Sequence, residues 1–498
     1  MINNSEVAKH LIDIGIRQIV GVSGGGDSFE IINSFVNHGG DFIEAPSEFS
    51  APIIASAMNK TSANQNYAVS ISIRGPGLVS SLPGLYHNFV EDLQSLSVSE
   101  GLSDQELAYN QHKVFDTAKA LSSIELFRKN AANFYENFNL NSSLNSGSVM
   151  IHFTTRSNHL YFYNRSMTEM CCDKSEAFGL NKKKKVFVIG KRGVKDSEVR
   201  RYLLSAAPHF LTPAALPFAD LNSPNFLGVW TGNEQFKLLG ENPQILHEAL
   251  VVRVGVMQRE LLTLQWNFPH FDIPLNYESE RHELFEFLED SGSNYVDPEK
   301  EKLDTVKFKI AKAAGIWSVY SAISIINELN SDMNYVFDVG SFATIIENYI
   351  RPIKSNRLHS SFIGKFMGTA VPISLGISIA QADTPVLCML GEGSFASSFN
   401  EIASIASLHL PVCILVFSGD NMHSIVSTKK LNAQFSAKFL PVNYYSLEKT
   451  KISNLPTYHV NTPAKFASMI SSWDKKSPLL IFLKFDPESY AKGVELLR

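Results

Sequence analysis

Short apolar runs, each ending on glycine or a small polar residue, alternate along this chain with longer segments of helical spacing. In the first third the runs are Gln18–Val22, leading into Ser23-Gly24-Gly25-Gly26, Tyr67–Ile73, leading into Arg74-Gly75-Pro76-Gly77, and Val149–Phe153. A helix rich in small and apolar residues is predicted over Glu48–Thr61. Val186–Gly190 and His247–Val256 supply strands of the same kind in the middle, on either side of proline-rich stretches between Pro208 and Pro224. The last third returns to the style of the first, with strands at Asn334–Val339, Val386–Leu390, Val412–Phe417 and Leu479–Phe485, and helices over Phe308–Leu329, Ala370–Ala382 and Phe399–Leu408. Continuously apolar strands separated by helices indicate parallel sheets covered on both faces. The expected fold class is therefore α/β, with three consecutive parallel-sheet domains over residues 1–180, 183–300 and 305–498.

Composition narrows the function classes. At 498 residues the chain is too long for one core. A net charge of −5 gives no reason to expect nucleic acid or an anionic membrane as partner. The basic run Lys182–Lys185 sits where a linker is expected and reads as solvated. Four cysteines make no disulfide framework; Cys388 and Cys413 fall inside apolar strands and read as core, while Cys171 and Cys172 are adjacent. A reducing, cytoplasmic setting is expected, with neither a signal peptide nor a membrane span.

Three features could carry chemistry. Gly24-Gly25-Gly26 follows a strand, as a ligand loop or merely a tight turn would; it matches neither the dinucleotide fingerprint nor the P-loop. Glu48 precedes the closely packing run Ser50, Ala51, Ala55 and Ala57. It is either a buried proton donor and acceptor or a carboxylate stabilised at a helix start. Gly391-Glu392-Gly393-Ser394-Phe395 directly follows one strand, and Ser418-Gly419-Asp420-Asn421 follows the next. Two strand ends thus each present an oxygen ligand where open α/β sheets bind ligands. Hard divalent cations take such oxygens and share them with phosphates, and flanking glycines let phosphate reach backbone N–H groups.

In this order the elements resemble the acetolactate synthase and pyruvate decarboxylase family of thiamine-diphosphate enzymes. The resemblance rests on Ile19–Gly25, on Glu48-Phe49-Ser50-Ala51, on Arg74-Gly75-Pro76-Gly77 with Gly84-Leu85 and Asp92, on Gly364–Gly368 leading into Val371-Pro372, and on Gly391–Phe395, which resembles the family's GDGSF motif. It implies a pyrimidine-binding, a central and a diphosphate-binding domain in series. It implies Glu48 hydrogen-bonded to the aminopyrimidine as the catalytic carboxylate. It also implies Met367 as an apolar wedge beneath the bent cofactor, where core filler is the alternative. Gly24, Gly25, Gly75, Pro76, Gly77, Ser341, Gly391, Gly393, Ser394 and Phe395 would line the cofactor. Magnesium or another divalent cation would bind Glu392, Asp420 and a backbone carbonyl at Asn421 or Met422. Gln111 and His112 fall near the substrate side.

The sequence departs from the pattern at the ligands, with Glu392 for an aspartate and Asp420, or Gly419 in an ungapped count, against an asparagine. Ser80 and Ser95 also stand where many relatives carry asparagine and proline. By resemblance the function is decarboxylation of a 2-keto acid with acyl transfer to a carbonyl acceptor, in a homodimer or homotetramer. The alternatives are a simple decarboxylase and a non-catalytic relative that keeps the fold. A third, remoter reading is a nucleotide-binding oxidoreductase using the middle domain, where Ile189-Gly190-Lys191 lacks the fuller glycine fingerprint, and nothing establishes FAD.

Overall fold

The computed structural model describes residues 4–62, 67–100, 184–230, 250–261, 270–275, 281–282, 284–285, 317–329, 331–418 and 452–485, and the backbone alone at 127–130, 149–153 and 158–163. The expected boundaries at 180, 183, 300 and 305 lie outside these residues, as do Cys171 and Cys172. Both described cysteines, Cys388 and Cys413, are free and buried in strands.

The first block runs α1 (Asn4–Asp13), β1 (Ile16–Gly21), α2 (Asp27–Asn37), β2 (Asp41–Glu44), α3 (Ser50–Thr61), β3 (Tyr67–Ser72), α4 (Pro76–Val90) and β4 (Leu96–Glu100). It continues with β5 (Phe127–Asn130), β6 (Val149–Phe153) and β7 (Asn158–Tyr163). The sheet order is β2-β1-β3-β4-β6-β7-β5. β1 to β4 and β6 are parallel, while β7 runs antiparallel to both β6 and β5. The parallel core agrees with the continuously apolar strands; the antiparallel edge is an addition to the expected fold.

The middle block contains β8 (Lys185–Ile189), α5 (Lys191–Lys195), α6 (Ser197–Ala206), β9 (His209–Leu211), β10 (Phe226–Val229), β11 (Leu250–Val254) and β12 (His270–Ile273). They form an all-parallel sheet in the order β10-β9-β8-β11-β12. Lys185 corrects the linker reading. It opens β8, pairs in register with Leu250 and is fully buried, and burial lowers the pKa of its ammonium. The ladder starts two residues before Phe187, and a lysine's long aliphatic stem tolerates that position.

The last block comprises α7 (Val319–Glu328), β13 (Asn334–Phe337), α8 (Ser341–Tyr349), β14 (Leu358–His359), α9 (Ala370–Ala380), β15 (Val386–Gly391), α10 (Glu392–Ser397), α11 (Phe399–Ser407), β16 (Val412–Ser418), β17 (Thr457–Val460), α12 (Pro463–Ser472) and β18 (Leu479–Lys484). Its parallel sheet has the order β14-β13-β15-β16-β18-β17. One face of it shares a core with α3 and α9 through Ile54, Ala57, Ile373, Cys388 and Val416. Small residues permit the approach: a Cβ on Gly376 would stand 2.4 Å from the Ile54 carbonyl oxygen. The other face joins the middle sheet in one cluster. All three sheets are therefore packed into one body, with the carboxyl ends of their strands left to carry function. Among the described residues no helix is long and apolar enough to cross a membrane.

Candidate active site

The site grows from β15, whose side chains from Val386 to Leu390 are buried on both faces of the sheet. At its end Gly391 turns the chain into α10, and Glu392 is the first helical residue. Glu392 is only 6% exposed, and its Oε1 accepts a 2.8 Å hydrogen bond from the Ser418 hydroxyl at the tip of neighbouring β16. A Cβ on Gly391 would meet the Phe342 ring at 3.2 Å, and that ring stacks on Phe417 with centroids 5.1 Å apart. A Cβ on Gly393 would lie 3.5 Å from the Met367 sulfur. Glu392, Gly391, Gly393 and Met367 thus surround one turn. Met367 is 57% exposed, which removes the core-filler alternative for it.

The neighbouring motif residues divide differently. The Phe395 ring is a core group, edge-on to Phe482 at 5.1 Å, so only its backbone is left for a ligand. Ser394 is buried, and its hydroxyl bonds Asp338. Ser341, half-buried, opens α8 beside Gly340, whose φ of +148° suits glycine alone.

Asp338, which sequence reasoning passed over, organises this end of the sheet. It follows β13, is fully buried, and accepts from the backbone N–H of Val339 (2.7 Å), Gly368 (3.0 Å) and Ala370 (3.2 Å). Burial pushes its carboxyl up to about 6, opposed by these N–H groups and the Ser394 hydroxyl. The carboxylate therefore ties the end of the Met367 loop to the Glu392 turn. Lys365, held at φ +51°, donates to buried Glu347 on α8 at 2.5 Å and fixes the same loop from its other side.

A second cluster lies at the first sheet. Glu48 is half-buried on the turn before α3. A Cβ on Gly77 would stand 2.4 Å from Ile73 Cγ2, which calls for glycine there, and 3.6 Å from Glu48 Oε1, which places the Gly75–Gly77 turn beside this carboxylate. Gly75 and Gly77 are buried and Pro76 is exposed at the start of α4. Ser47 reaches across to Glu401 of α11 at 3.1 Å. Gly24 is half-buried and Gly25 exposed on the loop after β1, with open space around the latter. Beside that loop lies Glu100, buried at the end of β4, which accepts the Ser28 N–H of α2 at 2.6 Å. It is another strand-tip carboxylate that the sequence reading missed.

The structure thus brings Met367, Gly391, Glu392, Gly393 and Ser394 together, and separately Glu48 with Gly75, Pro76 and Gly77. Asp420, Asn421, Met422, Gln111 and His112 lie outside the described residues. Among the described residues no group of three or more His, Cys, Asp or Glu side chains could hold a metal. Glu392 nonetheless fits one ligand of a hard cation: it is a buried carboxylate oxygen donor at a strand tip, on a turn flanked by two glycines. The exposed thioether over Gly393 fits an apolar neighbour for a ring. The described part of the site is therefore compatible with a metal-anchored diphosphate cofactor.

Residues 5–119 match the family model described as "Thiamine pyrophosphate enzyme, N-terminal TPP binding domain", and residues 338–455 match "Thiamine pyrophosphate enzyme, C-terminal TPP binding domain". The chain is similar to the catabolic acetolactate synthase of Raoultella terrigena, 27% identical over 23% of this chain and 21% of that protein. It is 29% identical to 3D-(3,5/4)-trihydroxycyclohexane-1,2-dione hydrolase of Lacticaseibacillus casei over 21% of this chain and 16% of that protein. The probable acetolactate synthase large subunit of Methanococcus aeolicus is 26% identical over 23% and 19% respectively. The matched stretch spans about a fifth of the length of these curated relatives. With the N-terminal and the C-terminal TPP binding domain models matching in order on the first and last sheets, the chain belongs to the thiamine-diphosphate-dependent enzyme family.

Proposed function

We propose that this protein decarboxylates a 2-keto acid and transfers the acyl unit to a carbonyl acceptor, using thiamine diphosphate anchored by magnesium or another divalent cation. The supporting observation is Glu392: a buried carboxylate between two glycines at a strand tip, with the exposed Met367 sulfur standing over the same turn. The blocks 1–180, 183–300 and 305–498 then serve as pyrimidine-binding, central and diphosphate-binding domains. In a homodimer the cofactor would lie between the Glu48 cluster of one copy and the Glu392 cluster of a second.

When bound, the cofactor supplies an electron sink for cleaving the bond beside a keto group. The protein's part is placement. Glu48 holds a proton at a carboxyl oxygen against the aminopyrimidine and takes it back. Glu392 would contribute one oxygen to the metal, and Asp420 with a carbonyl at Asn421 or Met422 would complete it. Met367 would stand as an apolar neighbour of the bound ring.

Calorimetric titration of the native protein with thiamine diphosphate across several divalent cations tests the reading, followed by carbon dioxide release from pyruvate and a panel of other 2-keto acids. Saturable metal-dependent binding and keto-acid turnover are expected. Absence of binding with every cation would remove the assignment. Binding without turnover on the whole panel would favour a non-catalytic relative, which the replacement of the usual aspartate by Glu392 also favours. Turnover yielding only the aldehyde would identify a simple decarboxylase.

A further inference from the structure

We propose that Glu91, at the end of α4 in the first block, is a positioning residue that sets the Met367 loop of the last block and through it the affinity for cofactor. This inference rests on the functional reading above. Glu91 is 5% exposed and gathers four donors from one short stretch. The Ser361 hydroxyl donates to it at 2.9 Å, and the backbone N–H groups of Phe362, Ile363 and Gly364 donate at 3.1, 3.0 and 2.7 Å. Three successive amides pointed at one carboxylate make an anion nest whose occupant comes from another part of the same chain. The next residues are Lys365, Phe366 and Met367, so this nest is the near anchor of the wedge, as Asp338 is its far anchor.

Packing reinforces the link. A Cβ on Gly364 would meet Val90 of α4 at 3.1 Å, and the Phe366 ring stands edge-on to Tyr86 at 5.7 Å and to His87 at 5.6 Å. The end of α4 is itself gripped by the middle block. Lys191 Nζ donates to the Glu91 carbonyl at 2.8 Å, Arg259 to the Val90 carbonyl at 3.1 Å, and Lys195 pairs with Asp92 at 3.1 Å. All three blocks therefore meet at one helix end, and the carboxylate projecting from it holds the loop. A charge-assisted bond to each amide restrains the backbone far more than apolar contact alone would.

The test compares wild type with Glu91→Gln, Glu91→Asp and Ser361→Ala. Hydrogen exchange of the Phe362–Gly364 amides is followed in cofactor-free protein, and thiamine diphosphate affinity is measured calorimetrically with magnesium. Expected for Glu91→Gln are exchange at least tenfold faster at these amides, a cofactor Kd raised about tenfold, and kcat at saturating cofactor within about twofold of wild type. Glu91→Asp should recover part of the affinity. Ser361→Ala, which removes one donor of four, should give a smaller rise in Kd and keeps the test open if Glu91→Gln fails to fold. Faster exchange with an unchanged Kd would make Glu91 a structural clamp only and overturn the inference. Unchanged exchange would overturn it at its first step. A wild type that binds no thiamine diphosphate would overturn the functional reading and this inference together, which distinguishes that failure from the others.

Discussion

The middle and last sheets are built alike, from parallel strands whose carboxyl ends should carry ligands, yet they use those ends differently. At the middle sheet Gly190 abuts Gly255, where a Cβ would stand 2.3 Å from the facing carbonyl oxygen. Buried Glu260 accepts the Lys191 N–H at 3.1 Å and the Thr212 hydroxyl, and Lys191 turns outward to Glu91 and Asp92. These groups satisfy one another and the neighbouring block. At the last sheet Gly391 and Gly393 open a turn around Glu392, and a large apolar side chain stands in solvent above it. Topology marks both places as candidate sites; what distinguishes them is that the first is closed by hydrogen bonds between two blocks, while the second is bordered by two glycines and the exposed Met367 side chain.

The largest effect should come from breaking the closed cluster. Glu260→Ala leaves the Lys191 N–H and the Thr212 hydroxyl buried without their acceptor. Each such group costs about 1–3 kcal/mol, so we expect a loss of about 3 kcal/mol in urea unfolding. Cofactor affinity per folded molecule should change less than tenfold. A larger change in affinity than in stability would erase the contrast between the two sheets.

The opposite pattern is expected at the open cluster. Glu392→Gln keeps the volume and an oxygen for Ser418 but removes the charge. Metal-dependent thiamine diphosphate binding should weaken about 100-fold, which is about 2.7 kcal/mol, while the unfolding free energy stays within about 1 kcal/mol. Calorimetry with magnesium and an unfolding curve on the same sample decide it.

Asp338 sharpens the comparison through pH. Its carboxyl is raised to about 6, chiefly by burial. A raised acid binds more protons folded than unfolded, so its contribution to stability is greatest below the ordinary carboxylate range and is lost as pH climbs through about 6. Between pH 4 and pH 7 that loss is on the order of 2 kcal/mol. Urea midpoints between pH 4 and pH 7 should show this falling component in wild type and not in Asp338→Asn. Equal slopes in the two proteins would mean that the carboxyl titrates normally.

How legible this was in the sequence depends on the reach of each contact. The strand, glycine and carboxylate at Val386–Gly393 are contiguous, so composition and order expose them. Glu48 and Met367 came from resemblance to a family, since a glutamate before alanines or a methionine in a loop has other readings. Asp338 sat inside an expected strand end, but its partners at Gly368 and Ala370 are a loop away. Glu91 carries no local signal in the sequence, because its four donors lie some 270 residues further on. Lys185 was misread because a charge run looks solvated until its register with Leu250 is known. Local chemistry is written in order along the chain; the closure of one carboxylate on a distant loop is not.

The smallest effect belongs to Met367, and it isolates the wedge from everything that supports it. Because the side chain is 57% exposed, truncating it opens no cavity, and Met367→Ala should leave stability within about 0.5 kcal/mol. If the thioether lies under a bound ring, truncation removes roughly 50 Å² of apolar contact, or about 1.3 kcal/mol. The cofactor Kd should then rise about tenfold at constant magnesium. Met367→Leu, a swap close in volume, should restore most of the affinity, because shape rather than sulfur is what the position asks for. An alanine variant that binds as tightly as wild type would show the exposed methionine to be a surface residue, leaving the open turn at Glu392 without its apolar wall.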